Sequence, residues 1–462
     1  MIVTELAKFA HGLKYQQLPA EVVAKAKTCI LDLLGISVCT YGHANSLVAT
    51  QGALAVGAKG RARLWMTGER LRAMDAVLAN SVVSHCILQD DWHQLSHAHI
   101  GVAVVPTALA MAEECQRNGK AVLTAVVAAY DVEDRAGTLS VPAYTRGFRP
   151  SSMYSYFGAT VAAARMMGLT QAQFEHALAC AGSTCGGVLQ TYTDGSMEWS
   201  FQEAFGCRAG ILATVLATKG LVGSKNIFEG GHGLNKSYSG TNEGQDAALD
   251  QLGSHFNIMD TCFKRFSTGG ANHGSAAVAF ELRKRHGIDY RRIKRVSVDI
   301  PRAGSHERMN YAGIPYQGPY HTIDQCLISK PFAIASILME GNLTFATVRR
   351  LQKNSKLLAL TNKIEAKEVD GIDGWNLNMK IEMEDGSTFH GDGKDIDQSH
   401  LYLSWPRATE KFRNLTEETL GARTVDEIIE LVGTMEKLNG VEMITKRLKP
   451  KPKKAPARKR KQ

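Results

Sequence analysis

The chain has 462 residues, 44% of them hydrophobic and 21% charged, an ordinary globular composition at a length where more than one core is expected. No apolar run approaches the ~20 residues of a membrane span, and the opening MIVTELAKFAHGLKYQ lacks the basic start and apolar stretch of a secretory signal, so a cytoplasmic protein is expected. The formal charge of +9 misleads: ten of the 54 Lys and Arg lie in residues 446–462 with no acid, which leaves the rest of the chain at −1, and such a Lys/Pro/Ala tail is expected to be disordered, with no specific nucleic-acid partner.

From the N-terminus to about residue 262 the apolar residues recur at helical spacing. The segments are VVAKAKTCILDLLGISV, RAMDAVLANSVVSHCILQ, VPTALAMAEECQ, GKAVLTAVVAAYDVEDRA, SMYSYFGATVAAARMMGL, TQAQFEHALACAGSTCGG and CRAGILATVLATKGLVG. Several are apolar nearly all round, as buried helices are. After residue 262 the texture changes. IKRVSVDIP alternates in the manner of a strand, and LNMKIEMEDGSTFHGD does so on both sides of a DG turn. AAVAFELRKRHG, IDQCLISKPFAIASILMEG and FATVRRLQKNSKLLAL, lying among them, read as helices, and helices return from about 405. The expected fold is mainly α. A large all-helical domain spans 1–262, with 401–445 returning to it; a smaller inserted α+β lid domain spans 263–400; a disordered basic tail spans 446–462.

Nine cysteines include no C-x-x-C pair and sit mostly among apolar neighbours, which indicates reduced core thiols and argues against an iron–sulfur cluster. SKNIFEGGHGL has three glycines but no phosphate-binding pattern, so it is expected to be a structural turn.

Three stretches carry chemistry. DDWHQLSHAHIG, residues 90–101, places two acids before three histidines. His93 and His97 have metal-like helical spacing, although Gln94 stands where a zinc peptidase needs Glu. The same residues also suit proton transfer near neutral pH, or a plain helix junction. FKRFSTGGANHG, residues 263–274, sets Lys264 and Arg265 before a Gly-rich turn and His273; cations, free backbone N–H groups and a helix start together suit a carboxylate. In RGFRPSSMYS, Arg149 precedes Pro150 and Ser151 at a helix start, where it can grip a carboxylate in bidentate fashion.

In this order these segments resemble the MmgE/PrpD family over roughly residues 1–440. AKTCILDLLGISV looks like the family's first long helix, and HCILQDDWHQLSHAHIGVAVVPTALAMAEE like its strongest motif. FRPSSMYSYFGATVAAARMMGL, RAGILATVLATKGLVGSKNIFEGGHGL, FKRFSTGGANHGSAAVA and ISKPFAIASILMEG match further blocks. The resemblance implies a helical domain with an α+β lid, a homodimer, an active site between the two parts, and no metal or organic cofactor. It also implies roles. Asp91 and His99 fall on an acid and the later histidine of the main motif, with Asp90 the other acid. Lys264 falls on a basic position, and His273 on the histidine that opens the next helix. Leu88, Trp92, Trp199, Gly269 and Phe332 depart from the decarboxylase pattern, and Arg149 stands where histidine is usual.

Family reactions move a proton at carbon beside a carboxylate, and the negative charge this builds needs nearby cations. His99 is therefore expected to carry the proton, with Asp91 orienting it and Asp90 and His273 assisting. Lys264, Arg149 and Arg265, with His93 and Ser151, are expected to hold a small polycarboxylate. The expected activity is that of a cofactor-independent hydro-lyase resembling 2-methylcitrate dehydratase. The alternatives are cis-aconitate decarboxylase-like or epimerase chemistry, and a non-catalytic carboxylate-binding homologue.

Overall fold

Alanine-rich, nearly all-apolar helices bury themselves against one another, and the structure follows from that. The computed structural model describes residues 1–93, 95–138, 141–301, 316–372 and 377–450. The helical half opens with α1 (Ile2–Gly12), α2 (Ala20–Cys39) and α3 (Ala44–Val56), then a short antiparallel pair, β1 (Lys59–Arg63) and β2 (Arg70–Leu71). Next come α4 (Ala73–His85), the two-residue strand β3 (Trp92–His93), α5 (Ile100–Glu114), α6 (Gly119–Thr138) and α7 (Pro150–Met167). They are followed by α8 (Gln171–Thr184), α9 (Gln190–Asp194) and α10 (Gln202–Thr218).

Helix α7 is the hub, packed against α5, α6, α8 and α10. Pro150 starts it and Gly168, at φ 72°, ends it in the left-handed conformation. Its close approach to α10 requires Gly210, where a Cβ would lie 2.8 Å from the backbone nitrogen of Thr160. Among the described residues no single helix is long and apolar enough to cross a membrane.

After β4 (Thr261–Cys262) come α11 (His273–His286) and β5 (Ile293–Pro301). Then follow α12 (Ile323–Ile328), α13 (Lys330–Glu340), α14 (Phe345–Leu351) and α15 (Ser355–Thr361). Strands β6 (Ile364–Val369), β7 (Asn378–Met383) and β8 (Thr388–Asp392) complete a sheet of order β6-β5-β7-β8. Strand β5 runs parallel to β6, which needs the helical crossover between them, and antiparallel to β7, while β7 and β8 form the hairpin expected around the DG turn. Helices α16 (Trp405–Leu420), α17 (Ala422–Gly433) and α18 (Glu442–Thr445) pack back on the helical half.

Two expected helices are each split in two. Ser329 caps α13 just before Pro331, and Asn354 caps α15. Strands β1 to β4 and β6 carry too few alternating positions to be seen in the sequence. The basic tail begins later than expected: Leu448 is fully buried in the main core and Arg447 pairs with Glu427 at 2.7 Å. The rest of the expected tail, 451–462, lies outside the described residues. The fold class is mainly α, as expected.

The main core runs from Ile2 to Phe263 and returns with Ala408 through Leu448. A second core runs from Phe266 to Met383, and the helical half contributes Leu88, Tyr192 and Trp199 to it. These three residues stand where the two halves meet.

Candidate active site

The described residues of DDWHQLSHAHIG, all but Gln94, form a strand and loop that lead into α5. Trp92 pairs with Cys262 and His93 with Thr261. Carried two residues outward, this antiparallel register sets Asp90 across from Lys264, whose Nζ lies 3.9 Å from Asp90 Oδ2. Alternation along the strand then sorts the neighbours. Asp90 and Trp92 face one side, with Lys264 5.8 Å over the Trp92 ring. Asp91 and His93 face the other side and meet α6 through Tyr130 and Asp134, which are one helical turn apart.

Asp90 rather than Asp91 therefore orients His99. Nδ1 of His99 lies 2.6 Å from Asp90 Oδ2 and 3.2 Å from the Asp91 carbonyl oxygen. The Asp91 carboxylate instead accepts from Tyr130 Oη at 2.6 Å and from the Gly101 N–H, at the start of α5, at 3.0 Å. A Cβ on Gly101 would come within 2.6 Å of Asp91 Oδ1, so glycine is required there. Ser151 also positions and does not reach out: Oγ accepts from the His99 N–H at 2.9 Å and donates to the His97 carbonyl at 3.1 Å.

His85, the last residue of α4, joins the site although sequence reasoning did not single it out. Its Nδ1 lies 3.2 Å from Asp90 Oδ1. Its ring packs edge-on against His99 at 4.9 Å and Trp199 at 5.0 Å. No local sequence signal marked it; in the structure it ends α4, three residues before a leucine in the left-handed region (Leu88, φ 49°). That conformation costs roughly 1–3 kcal/mol outside glycine, and it turns the chain so that Asp90 faces back to His85.

Burial and neighbouring charge set the protonation states. Burial alone would raise the Asp90 carboxyl, but Lys264, His85 and His99 outweigh it and hold the group well below the usual carboxylate range. Burial, with Lys264 beside it, lowers His99 to about 4 against the pull of Asp90. Burial lowers Lys264 to about 8 despite Asp90. Burial raises Asp91 to about 7. At neutral pH, His99 is thus an unprotonated base beside a lysine that is still mostly cationic.

The other expected site residues are placed elsewhere or already engaged. Arg149 is buried and held by both carboxylate oxygens of Glu203 at 2.7 and 2.9 Å and by the Trp199 carbonyl at 2.6 Å, so its guanidinium is committed to protein partners. His93 pairs with Asp134 at 2.7 Å. His273 accepts from the Phe266 N–H at 3.2 Å, with its ring against Trp92. Arg265 stacks over Phe280 at 4.0 Å and lines a cleft of about 940 Å³ formed with α11, α14 and α16. Among the departures, Leu88, Trp199 and Phe332 are fully buried in the second core. His85, Asp90 and His99 are close enough to share a metal ion. The direct His99–Asp90 contact and the Lys264 ammonium, 3.2 Å from Nδ1, oppose a cation there.

Models of the MmgE/PrpD N-terminal and C-terminal domains match residues 4–246 and 266–437. The chain is also 26% identical to the cis-aconitate decarboxylase of Homo sapiens, over 97% of this chain and 94% of that protein. It is 26% identical to that of Mus musculus, over 97% and 93%. It is 23% identical to that of Aspergillus terreus, over 95% and 94%. With both domain models matched in sequence order, and the first covering more than half of its length, the chain belongs to the MmgE/PrpD family.

Proposed function

We propose that the protein is a cofactor-independent lyase acting on a small di- or tricarboxylic acid, with His99 as the proton carrier. One observation carries this. His99 has Nδ1 turned to Asp90, none of the described residues hydrogen-bonds its Nε2, and the side chain keeps 11% exposure. Nδ1 faces two groups that can only accept, the ionised Asp90 at 2.6 Å and the Asp91 carbonyl at 3.2 Å, against one donor, the Lys264 ammonium at 3.2 Å, so the ring proton is assigned to Nδ1 and Nε2 presents a bare lone pair. Lys264 is the cation placed to meet charge that develops beside a substrate carboxylate. In a dehydration, His99 Nε2 takes the proton from carbon next to the carboxylate, the C–H electron pair becomes the double bond, and the hydroxyl leaves the adjacent carbon as hydroxide with the C–O pair.

The relatives' names favour a second form, decarboxylation, in which the carbon that loses CO₂ or its allylic partner must receive a proton. The His99 pKa favours the first, since a histidine lowered to about 4 abstracts protons at neutral pH more readily than it supplies them. A dehydratase of the 2-methylcitrate type is therefore the primary proposal. A homodimer is proposed with it. Helices α3 and α10 flank α4 and expose Leu47, Val48, Leu54, Phe205, Leu212 and Leu216, a surface that a second copy would cover.

The test is to incubate the protein with a panel of hydroxy and unsaturated di- and tricarboxylates in deuterated water. Carbon-bound deuterium and double-bond absorbance without CO₂ support the dehydratase. CO₂ release supports the decarboxylase. Neither, across the panel, defeats the lyase proposal.

A further inference from the structure

Arg149 reaches His99 through two further residues, His85 and Asp90. A guanidinium has five donors and no acceptor, and Nη2 of Arg149 lies 2.8 Å from Nε2 of His85. That ring nitrogen must therefore accept, and the His85 proton sits on Nδ1, facing Asp90 Oδ1 at 3.2 Å. The other Asp90 oxygen faces His99 Nδ1 at 2.6 Å. Each carboxylate oxygen thus lies within ion-pair distance of one histidine Nδ1, and the two contacts together set the place of the carboxylate between the rings.

We infer that Arg149, Glu203 and His85 form a positioning chain that fixes the tautomer of His99 and so bares its Nε2 to substrate. Glu203 has two parts in it. Its carboxylate clamps Arg149, together with the Trp199 carbonyl, Gln202 Oε1 at 3.0 Å and the Tyr192 hydroxyl at 3.3 Å. It is also the competing acceptor, since Oε1 lies 3.4 Å from His85 Nε2. Without the Arg149 N–H in that space, His85 would place its proton on Nε2 toward Glu203. Its Nδ1 lone pair would then face Asp90, an acceptor meeting an acceptor, and the carboxylate would lose its fixed orientation. Arg149 thus acts through His85 and Asp90 and leaves carboxylate binding to other groups. The chain matters to turnover only if His99 carries the proton, as proposed above.

The experiment uses full-length protein labelled with ¹⁵N in its histidine rings, with the His99 signals identified by their loss in His99→Gln. In the unaltered protein at pH 7, Nδ1 of His99 is expected to be the protonated nitrogen. In His85→Ala and Arg149→Met the two ring nitrogens are expected to move toward a mixed tautomer, and kcat to fall roughly tenfold to a hundredfold with KM changed less than about threefold. His85→Asn, whose side-chain N–H occupies the place of Nδ1, is expected to restore most of both. The inference is overturned if His99 carries its proton on Nε2 in the unaltered protein, or if the His99 signals ignore His85→Ala. It is also overturned if Arg149→Met raises KM while sparing kcat, which is the signature of a substrate grip. Should the alanine variant fail to fold, the unaltered protein and His85→Asn still decide the tautomer. A protein with the expected tautomer that turns over none of the panel acids sinks the lyase proposal alone.

Discussion

Two histidine–aspartate pairs sit within a few residues of each other and do opposite things. His93–Asp134 and His99–Asp90 are both buried, at 2.7 and 2.6 Å. In the first, burial opposes the charge on His93, but Asp134 outweighs it and raises the histidine. In the second, burial and Lys264 together overcome Asp90 and lower His99 to about 4. Chain position explains the difference. His93 points into α6, where Asn257 Nδ2 donates to Asp134 at 2.6 Å and completes a closed structural pair. His99 begins α5 on the side where the strand ladder delivers Lys264. A third charge, more than the pair itself, separates an ion pair from a base.

The largest expected effect tests the catalytic member. His99→Ala should lower turnover of an accepted substrate by about 10²–10⁴-fold per folded molecule; because the variant also loses the Asp90 contact, a thermal melt sets the folded fraction to which the rate is normalised. Near-normal deuterium incorporation in that variant would remove His99 from its role.

The structural member should respond the other way. Asp134→Asn leaves His93 buried beside a neutral amide, and breaking such a pair costs about 3–5 kcal/mol, read by denaturant unfolding. The pH signs are distinct. Because His93 is raised, its share of stability is full below its ordinary 6.5 and is lost as pH rises through the raised value. Because Asp134 is lowered, its share is present above the ordinary 3.8 and is lost as pH falls through the lowered value. Turnover per folded molecule should stay within about threefold. A variant as stable as the parent breaks the comparison.

Lys264→Met tests the third charge directly. In the proposed reaction His99 acts unprotonated, above about 4, and Lys264 acts as a cation, below about 8. Activity should therefore hold between those values and fall on both sides. Removing the ammonium should shift the acid limb upward, making His99 resemble His93, erase the alkaline limb, and lower kcat roughly tenfold to a hundredfold. An acid limb that stays in place would mean that Lys264 is not what holds His99 down.

Much of this comparison was legible in the sequence, and the illegible part has one cause. Helical spacing gave away the helical half, and the DG turn gave away β7 and β8. Six ordered motifs pointed to the family, and His99 and Lys264 were named from them. Which of the adjacent acids serves His99 was not legible. Asp90 and Asp91 are chemically identical, and only the pairing of Trp92 with Cys262, far along the chain, decides which one faces Lys264. The same pairing sends His93 away from the site. Arg149 looked like a carboxylate grip because its partner, Glu203, is 54 residues distant and reaches it only through the packing of α7 on α10. His85 looked like one more residue of an apolar helix. Strands of two residues and contacts between distant helices leave no local period to read.

The smallest expected effect is the most discriminating about the cationic segment. Lys264 and Arg265 are consecutive, and sequence alone gave both to the substrate. In the ladder, consecutive residues point to opposite sides. Lys264 is buried against Asp90, whereas Arg265 is exposed at the cleft between the two halves, stacked on Phe280, with no side-chain hydrogen bond or ion pair among the described residues. Arg265→Ala should therefore change kcat and KM by less than about twofold and reduce stability by roughly 0.5–1 kcal/mol, the worth of a partly exposed cation–aromatic contact. Steady-state rates and a thermal melt measure both. A tenfold rise in KM would put Arg265 on the substrate after all, and would mean that the alternation which separates Asp90 from Asp91 does not extend across the strand to its partner.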